Sequence, residues 1–255
     1  MASSLVPSLP YNKEDVKRSL RRNLHTLWRV QENHQRNPCS QPVSLERRHL
    51  PLLRNDDYVC ADKTDGVRFV LFLTRIAGTE LSFMMDRKMT TYQIPVAASR
   101  KYFDGSIFDG ELVWTTNGDG IRSQAFLVFD VVCLKGDDDV RNFSLLKRLE
   151  IIRILFDIEA AEINSPRQAH ALARQGKIIC GGNSHGLSFK PKQCFPLDMM
   201  DTLVRKMDAL PYKTDGLIFT PINVGGCTGT QDGLFKLKTI HSVDIECYPA
   251  QRAAY

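Results

Sequence analysis

A chain of 255 residues holds one large domain or two small ones, and 43% hydrophobic with 25% charged residues is an ordinary soluble globular composition. The formal net charge of +5 permits contact with phosphate without demanding it. No apolar run approaches the roughly 20 residues that span a bilayer, "MASSLVPSLP" lacks the charged start of a signal peptide, and seven scattered cysteines without a CxxC pair point to free thiols in a reducing compartment rather than a structural zinc site.

The first ten residues read as loose. Asn12 is placed to cap a helix, with Glu14 and Asp15 in its first turn. Val16, Leu20, Leu24, Leu27 and Val30 then recur at helical spacing, which predicts an amphipathic helix of about five turns. Its other face carries Lys17, Arg18, Arg21, Arg22 and Arg29. Such a run is either a solvated face or an RNA-facing surface. A proline-punctuated loop, "NPCSQPVSLERRHL", follows. Beyond it the chain is rich in strands. "YVCAD", "VRFVLFLTRI", "ELSFMMD", "IFDGELVW" and "AFLVFDVVCL" are apolar, β-branched and aromatic runs. Asp137, Asp138 and Asp139 mark a surface turn. Residues 143–160 read as a helix with Leu145, Leu146, Leu149, Ile152 and Leu155 on one side, and a second helix at about 198–209 precedes the strand "LIFTPI". The order is mixed rather than a regular βαβ alternation. The expected class is therefore α+β, with antiparallel sheets flanked by helices.

The tetrapeptide KTDG occurs twice, at Lys63–Gly66 and at Lys213–Gly216. Asp-Gly is good turn chemistry, so each copy taken alone reads as a hairpin with an exposed lysine. Two features argue otherwise for the first copy. Arg68 sits inside an apolar run, and Asp62-Lys63 issues from a strand that reads as buried. A lysine attacks only as the free amine, so its ordinary pKa near 10.4 must fall through burial or neighbouring cations. Lys236 and Lys238 alternate on one strand face, a pattern that suits a polyphosphate or a plain solvent-facing edge. Asp109 and Glu111 share a strand face, and with Asp215 they form the kind of carboxylate set that suits Mg²⁺ beside phosphate. Phe129 is core by default and a base-stacking platform otherwise. No GxxxxGK[ST] or GxGxxG loop is present.

In chain order, KTDGVR at 63–68, FDGELV at 108–113, FLVFDVV at 126–132, KTDGLIF at 213–219 and LFKLK at 234–238 resemble the covalent nucleotidyltransferases, a superfamily of mRNA capping enzymes and polynucleotide ligases. The resemblance covers roughly residues 38–245. "CSQPVSL" at 39–45, Asp86-Arg87-Lys88 and the tail "TIHSVDIE" are most similar to an mRNA guanylyltransferase of viral or eukaryotic type. The resemblance implies that Lys63 attacks the α-phosphate of GTP and holds GMP as a phosphoramidate. It implies that Arg68 and Arg87 contact ribose and phosphates, that Glu111 binds ribose or metal, and that Phe129 stacks on guanine. Lys190 or Lys192, with Lys192 preferred, reads the guanine O6. Asp215 sits by a Mg²⁺ or Mn²⁺ ion, and Lys236 and Lys238 clamp the α-phosphate. Lys213 carries no implied role.

The implied acceptor is a 5′-diphosphate RNA. Implied partners are an RNA triphosphatase, a separate OB-fold domain or RNA polymerase, in the nucleus or cytoplasm and away from membranes. The expected organisation is a basic helix and leader at 1–37, the nucleotidyltransferase domain at 38–245 and a tail at 246–255 that leaves no room for the family's OB-fold domain. Two rival readings stand beside this one: an ATP-dependent polynucleotide ligase, and a non-catalytic module that binds RNA or a capping partner through the basic helix.

Overall fold

The computed structural model describes residues 13–31, 38–55, 57–158, 165–180, 186–226 and 228–239. Asn12 and the tail from 240 onward lie outside the described residues. The first helix, α1, runs from Glu14 to Trp28. Glu14 and Asp15 complement the positive end of its dipole, and Arg29 ends it in the left-handed conformation at φ 53°. Leu20, Leu24 and Trp28 are buried, while Arg18, Arg21 and Arg22 stay exposed. Lys17 pairs with Glu14, and Arg29 reaches Asp138. Leu24 is 1% exposed, so Leu24→Ala is expected to cost about 2–5 kcal/mol, read as a lowered denaturant midpoint. An unchanged midpoint would show that α1 is not part of the folded core.

The segment after α1 is not the loop its prolines suggest. It holds β1 (Gln41–Ser44), a 3₁₀ turn at Arg47–His49 and α2 (Leu50–Asn55). Pro42 is tolerated because β1 is an edge strand. The predicted strands appear as β2 (Tyr58–Thr64), β3 (Val67–Ile76) and β4 (Thr79–Asp86), followed by short β5 (Thr91–Gln93) and β6 (Val96–Ala97), then β7 (Ser106–Thr116) and β8 (Arg122–Cys133). The predicted helix at 143–160 is α3 (Leu145–Phe156). The helix α4 (Pro166–Arg174) and the strands β9 (Ile179–Cys180), β10 (Leu187–Pro191) and β11 (Phe195–Pro196) follow. The chain closes with α5 (Met200–Met207), β12 (Thr214–Pro221) and β13 (Thr230–Lys238).

Two main sheets result. One has five strands in the order β1-β13-β12-β2-β11, the other six in the order β10-β8-β7-β3-β4-β5. The fold is α+β as expected, and the sheets are antiparallel except at one edge of each, where β1 joins β13 and β10 joins β8 in parallel. Alternation along β3 sorts its side chains. Phe69, Leu71 and Leu73 join the main core with Phe108, Phe126 and, from α3, Ile152 and Phe156. Val70 and Phe72 face the other way, under α1 with Phe83 and Met85. Arg68, on the same parity as Val70, therefore lies on the α1 side of the six-stranded sheet.

Candidate active site

The first KTDG is not a hairpin. Its lysine and threonine end β2 in the five-stranded sheet, and Val67 starts β3 in the six-stranded one. Asp65-Gly66 carries the chain from one sheet to the other. Gly66 passes so close to β7 that an added Cβ would lie 2.5 Å from the Leu112 carbonyl oxygen. The second KTDG opens β12, which pairs antiparallel with β2, so the two copies are cross-strand neighbours. Thr214 stands opposite Thr64 and Gly216 opposite Lys63, with a bulge between them at Asp215. The Asp65 amide donates to the Lys213 carbonyl at 2.9 Å.

The bulge turns Asp215 onto the lysine of the first copy. Lys63 Nζ donates to Asp215 Oδ1 at 2.6 Å, and Lys238 Nζ stands 3.6 Å from the other oxygen. Lys63 lines a cavity of about 170 Å³ together with Arg68, Arg87, Glu111, Phe129 and Lys192. Arg68 is held rather than free: Nε donates to Asp109 Oδ1 at 2.9 Å, Nη2 to Asp109 Oδ2, and Nη1 to the Ser40 carbonyl at 2.7 Å. Burial alone would lower the guanidinium pKa, but Asp109 outweighs it and the net shift is upward. The guanidinium lies 5.3 Å from the Phe129 ring centroid, and Phe129 is half-buried at the cavity wall rather than sealed in the core.

Glu111 stands opposite Arg68 across β3 and β7 and accepts the Gly66 amide at 3.1 Å. Burial raises its pKa above the ordinary glutamate value. Arg87 is exposed and reaches the cavity from the turn between β4 and β5, where Asp86 accepts two backbone amides. Lys192 is buried, donating to Asp62 at 2.5 Å and to Thr64; burial lowers its pKa and Asp62 opposes this. Lys190 is not at the cavity. It is exposed, in a groove with Glu150 and Arg153. Lys236 is half-buried beside β1 and β12, opposite Ser44 and Ile218, and does not line the cavity. Lys213 is exposed in a separate groove with Trp114 and Arg122.

Four residues at this site lay outside the sequence expectations. Asp62 and Tyr212 hold Lys192, and Asp130 and Arg148 form a pair at 2.7 Å in the cavity wall. Arg148 had a visible signal, an arginine one turn after Leu145 on the apolar side of α3. Asp62 had another, a carboxylate in a run that otherwise reads as buried. Of the carboxylates that line the cavity, Arg68 occupies Asp109, Lys192 occupies Asp62 and Arg148 occupies Asp130, which leaves Glu111 for a divalent ion; Asp215, engaged by Lys63 and Lys238, lines the adjoining groove with Lys213. One or two carboxylates fit magnesium completed by phosphate and water. The acidic trio at Asp137–Asp139 is elsewhere, and Asp138 there is engaged by Arg29 and Arg141.

The family described as mRNA capping enzyme, catalytic domain, matches residues 2–240. The mRNA-capping enzyme subunit alpha of Neurospora crassa is 29% identical over 222 residues, which is 82% of this chain and 52% of that protein. The subunit alpha of Schizosaccharomyces pombe is 30% identical over 213 residues, 79% of this chain and 50% of that one. The mouse mRNA-capping enzyme is 29% identical over 237 residues, 82% of this chain and 34% of its own length. The chain thus spans about half the length of the fungal relatives it matches. Among solved structures, the ATP-dependent DNA ligase of bacteriophage T7 aligns at 14% identity and a TM-score of 0.48, over 79% of this chain and 68% of that one. The family match runs from the start of the chain to the end of its last described strand, across every motif that meets at the cavity: the chain belongs to the mRNA capping enzyme catalytic-domain family.

Proposed function

We propose that this chain is the nucleotidyltransferase part of an mRNA guanylyltransferase, with Lys63 as its nucleophile. The observation that carries the reading is the meeting of Lys63 with Asp215 at the wall of a cavity shared by Arg68, Arg87, Glu111, Phe129 and Lys192. In the first step the Lys63 amine attacks the α-phosphorus of GTP. The bond from that phosphorus to the bridging oxygen breaks, and pyrophosphate leaves with the electron pair. Asp215, which accepts from that amine at 2.6 Å, would orient it and take up its proton. In the second step a terminal phosphate oxygen of a 5′-diphosphate RNA attacks the same phosphorus, the P–N bond breaks, and Lys63 regains its proton. The covalent intermediate divides one difficult transfer into two displacements. Lys238 and Arg68 offer positive charge to the phosphates, and Phe129 offers a ring face to the base. Glu111 and Asp215 would hold a magnesium or manganese ion, which supplies charge neutralisation for the departing pyrophosphate when bound.

The name subunit alpha borne by the fungal relatives supports a partner chain. We assign that place to an RNA triphosphatase, a separate OB-fold domain or RNA polymerase. The setting is intracellular, nuclear or cytoplasmic, and among the described residues no helix is long and apolar enough to cross a membrane. Incubation with α-labelled GTP and, separately, α-labelled ATP tests the reading, with an OB-fold domain added in trans. Covalent label from GTP is expected. Label from ATP alone would make the chain a ligase-type adenylyltransferase, and no label from either would favour a binding module.

A further inference from the structure

Two residues stand immediately before the two KTDG copies, Asp62 and Tyr212, and neither has a part in the phosphate chemistry. Both are engaged on Lys192. Asp62 is 3% exposed and Lys192 8%. Lys192 Nζ donates to Asp62 Oδ2 at 2.5 Å and to the Thr64 hydroxyl, and that hydroxyl donates to the same carboxylate oxygen at 3.2 Å. The Tyr212 hydroxyl donates to Asp62 Oδ1 at 3.4 Å, while its ring lies 5.0 Å from Lys192 Nζ. The ammonium is thus fixed from the carboxylate side and from a ring face. Removing either partner of such a buried pair leaves the other charge uncompensated.

A lysine ammonium has three protons and no acceptor. Two of its protons point to Asp62 and Thr64, and the third is left for the cavity that Lys192 lines. A group that only donates accepts a carbonyl at the six-position of a purine and rejects an amino group there. A neutral amine would lose that discrimination, because it also offers a lone pair. Burial pushes Lys192 toward the neutral form, and the Asp62 carboxylate is the leading influence against it.

We infer that Asp62 is a specificity-determining positioning residue: its carboxylate, steadied by Tyr212, holds Lys192 at the cavity wall as a donor-only group and so selects purines with a six-position carbonyl. The inference rests on the guanylyltransferase reading only for what fills the cavity. Its test is equilibrium binding of GTP, ITP and ATP to the full chain, measured by competition with a fluorescent guanine nucleotide and run beside the covalent labelling. The wild type is expected to prefer GTP and ITP over ATP. In Asp62→Asn the GTP-to-ATP affinity ratio is expected to fall roughly tenfold, with ITP following GTP, as loss of a charged hydrogen bond predicts. A ratio does not depend on the fraction of folded protein, so general destabilisation would not mimic this. A folded Asp62→Asn that keeps the ratio within about twofold, or a wild type with no preference, overturns the inference. Should Asp62→Asn fail to fold, Tyr212→Phe leaves the buried pair in place and is expected to lower the ratio roughly threefold; an unchanged ratio there also overturns it. Selective GTP binding without any covalent adduct sinks the guanylyltransferase reading alone. An adduct together with undiminished selectivity in Asp62→Asn sinks this inference alone.

Discussion

Lys63→Ala is expected to bring covalent GMP labelling down to background, a loss of roughly 10³-fold or more. The phosphoramidate needs a side-chain amine, and alanine has none. Lys63→Arg is expected to behave the same way, because it keeps the charge but a guanidinium is never deprotonated to a nucleophile. The fold should survive either change. Lys63 and Asp215 are each 20% exposed at the side chain, and Asp215 retains Lys238 at 3.6 Å. With Lys238 still beside it, the Asp215 carboxylate is not left as an uncompensated charge. The informative contrast is Lys213→Ala, the same residue in the other KTDG copy. Lys213 is exposed and away from the cavity, so that variant is expected to label like the wild type. Labelling retained in Lys63→Ala and lost in Lys213→Ala would reverse the assignment of the two copies.

The second large effect lies in the backbone that brings the two copies together. Gly216→Ala is expected to destabilise the chain by about 4 kcal/mol or more, at the far end of the range for single substitutions. Gly216 has φ 153°, and a Cβ built on it would lie 1.9 Å from the Leu237 carbonyl oxygen. A Cβ is fixed to its own backbone and the atoms it would meet are main chain, so no rotamer change relieves the contact, and β12 must separate from β13. That separation would part Asp215 from Lys238 and shift the bulge that aims Asp215 at Lys63. Gly118 is the control, since an added Cβ there meets nothing within 4 Å. Gly118→Ala is expected to stay within roughly 0.5 kcal/mol of the wild type. Denaturant unfolding of the two variants measures the difference. Equal midpoints would mean that β12 and β13 are not packed as closely as described.

The strands were legible because their runs are apolar, long and bounded by turn residues. The same criterion misplaced 38–50. Pro42 reads as a breaker, yet β1 needs no amide there because it lies at a sheet edge. The short strands β6, β9 and β11 carry too few residues for periodicity to register, and only their pairings define them. Among the site residues, Lys192 and Lys190 read alike from composition, two lysines separated by a proline. Only Lys192 is turned inward, where Asp62 compensates its charge. Lys236 and Lys238 likewise share a strand face, but the one at the end of β13 is the one that meets Asp215.

What the sequence by itself determined was the class of fold and the order of the motifs; the expectation of Lys63 over Lys213 rests on the resemblance that this order carries. Those properties are carried by local runs and by linear order, which need no knowledge of neighbours. That the two KTDG copies face each other was decided only by the tertiary structure. Tetrapeptides 150 residues apart carry no local mark of partnership. They meet because β2 and β12 pair in one sheet while Asp65-Gly66 crosses to the other, and Gly216 lets the strands close beside the bulge at Asp215. The engagement of Asp62 and Tyr212 on Lys192 belongs to the same category. A buried charge acquires its partner from packing, and packing joins segments that the chain itself keeps far apart.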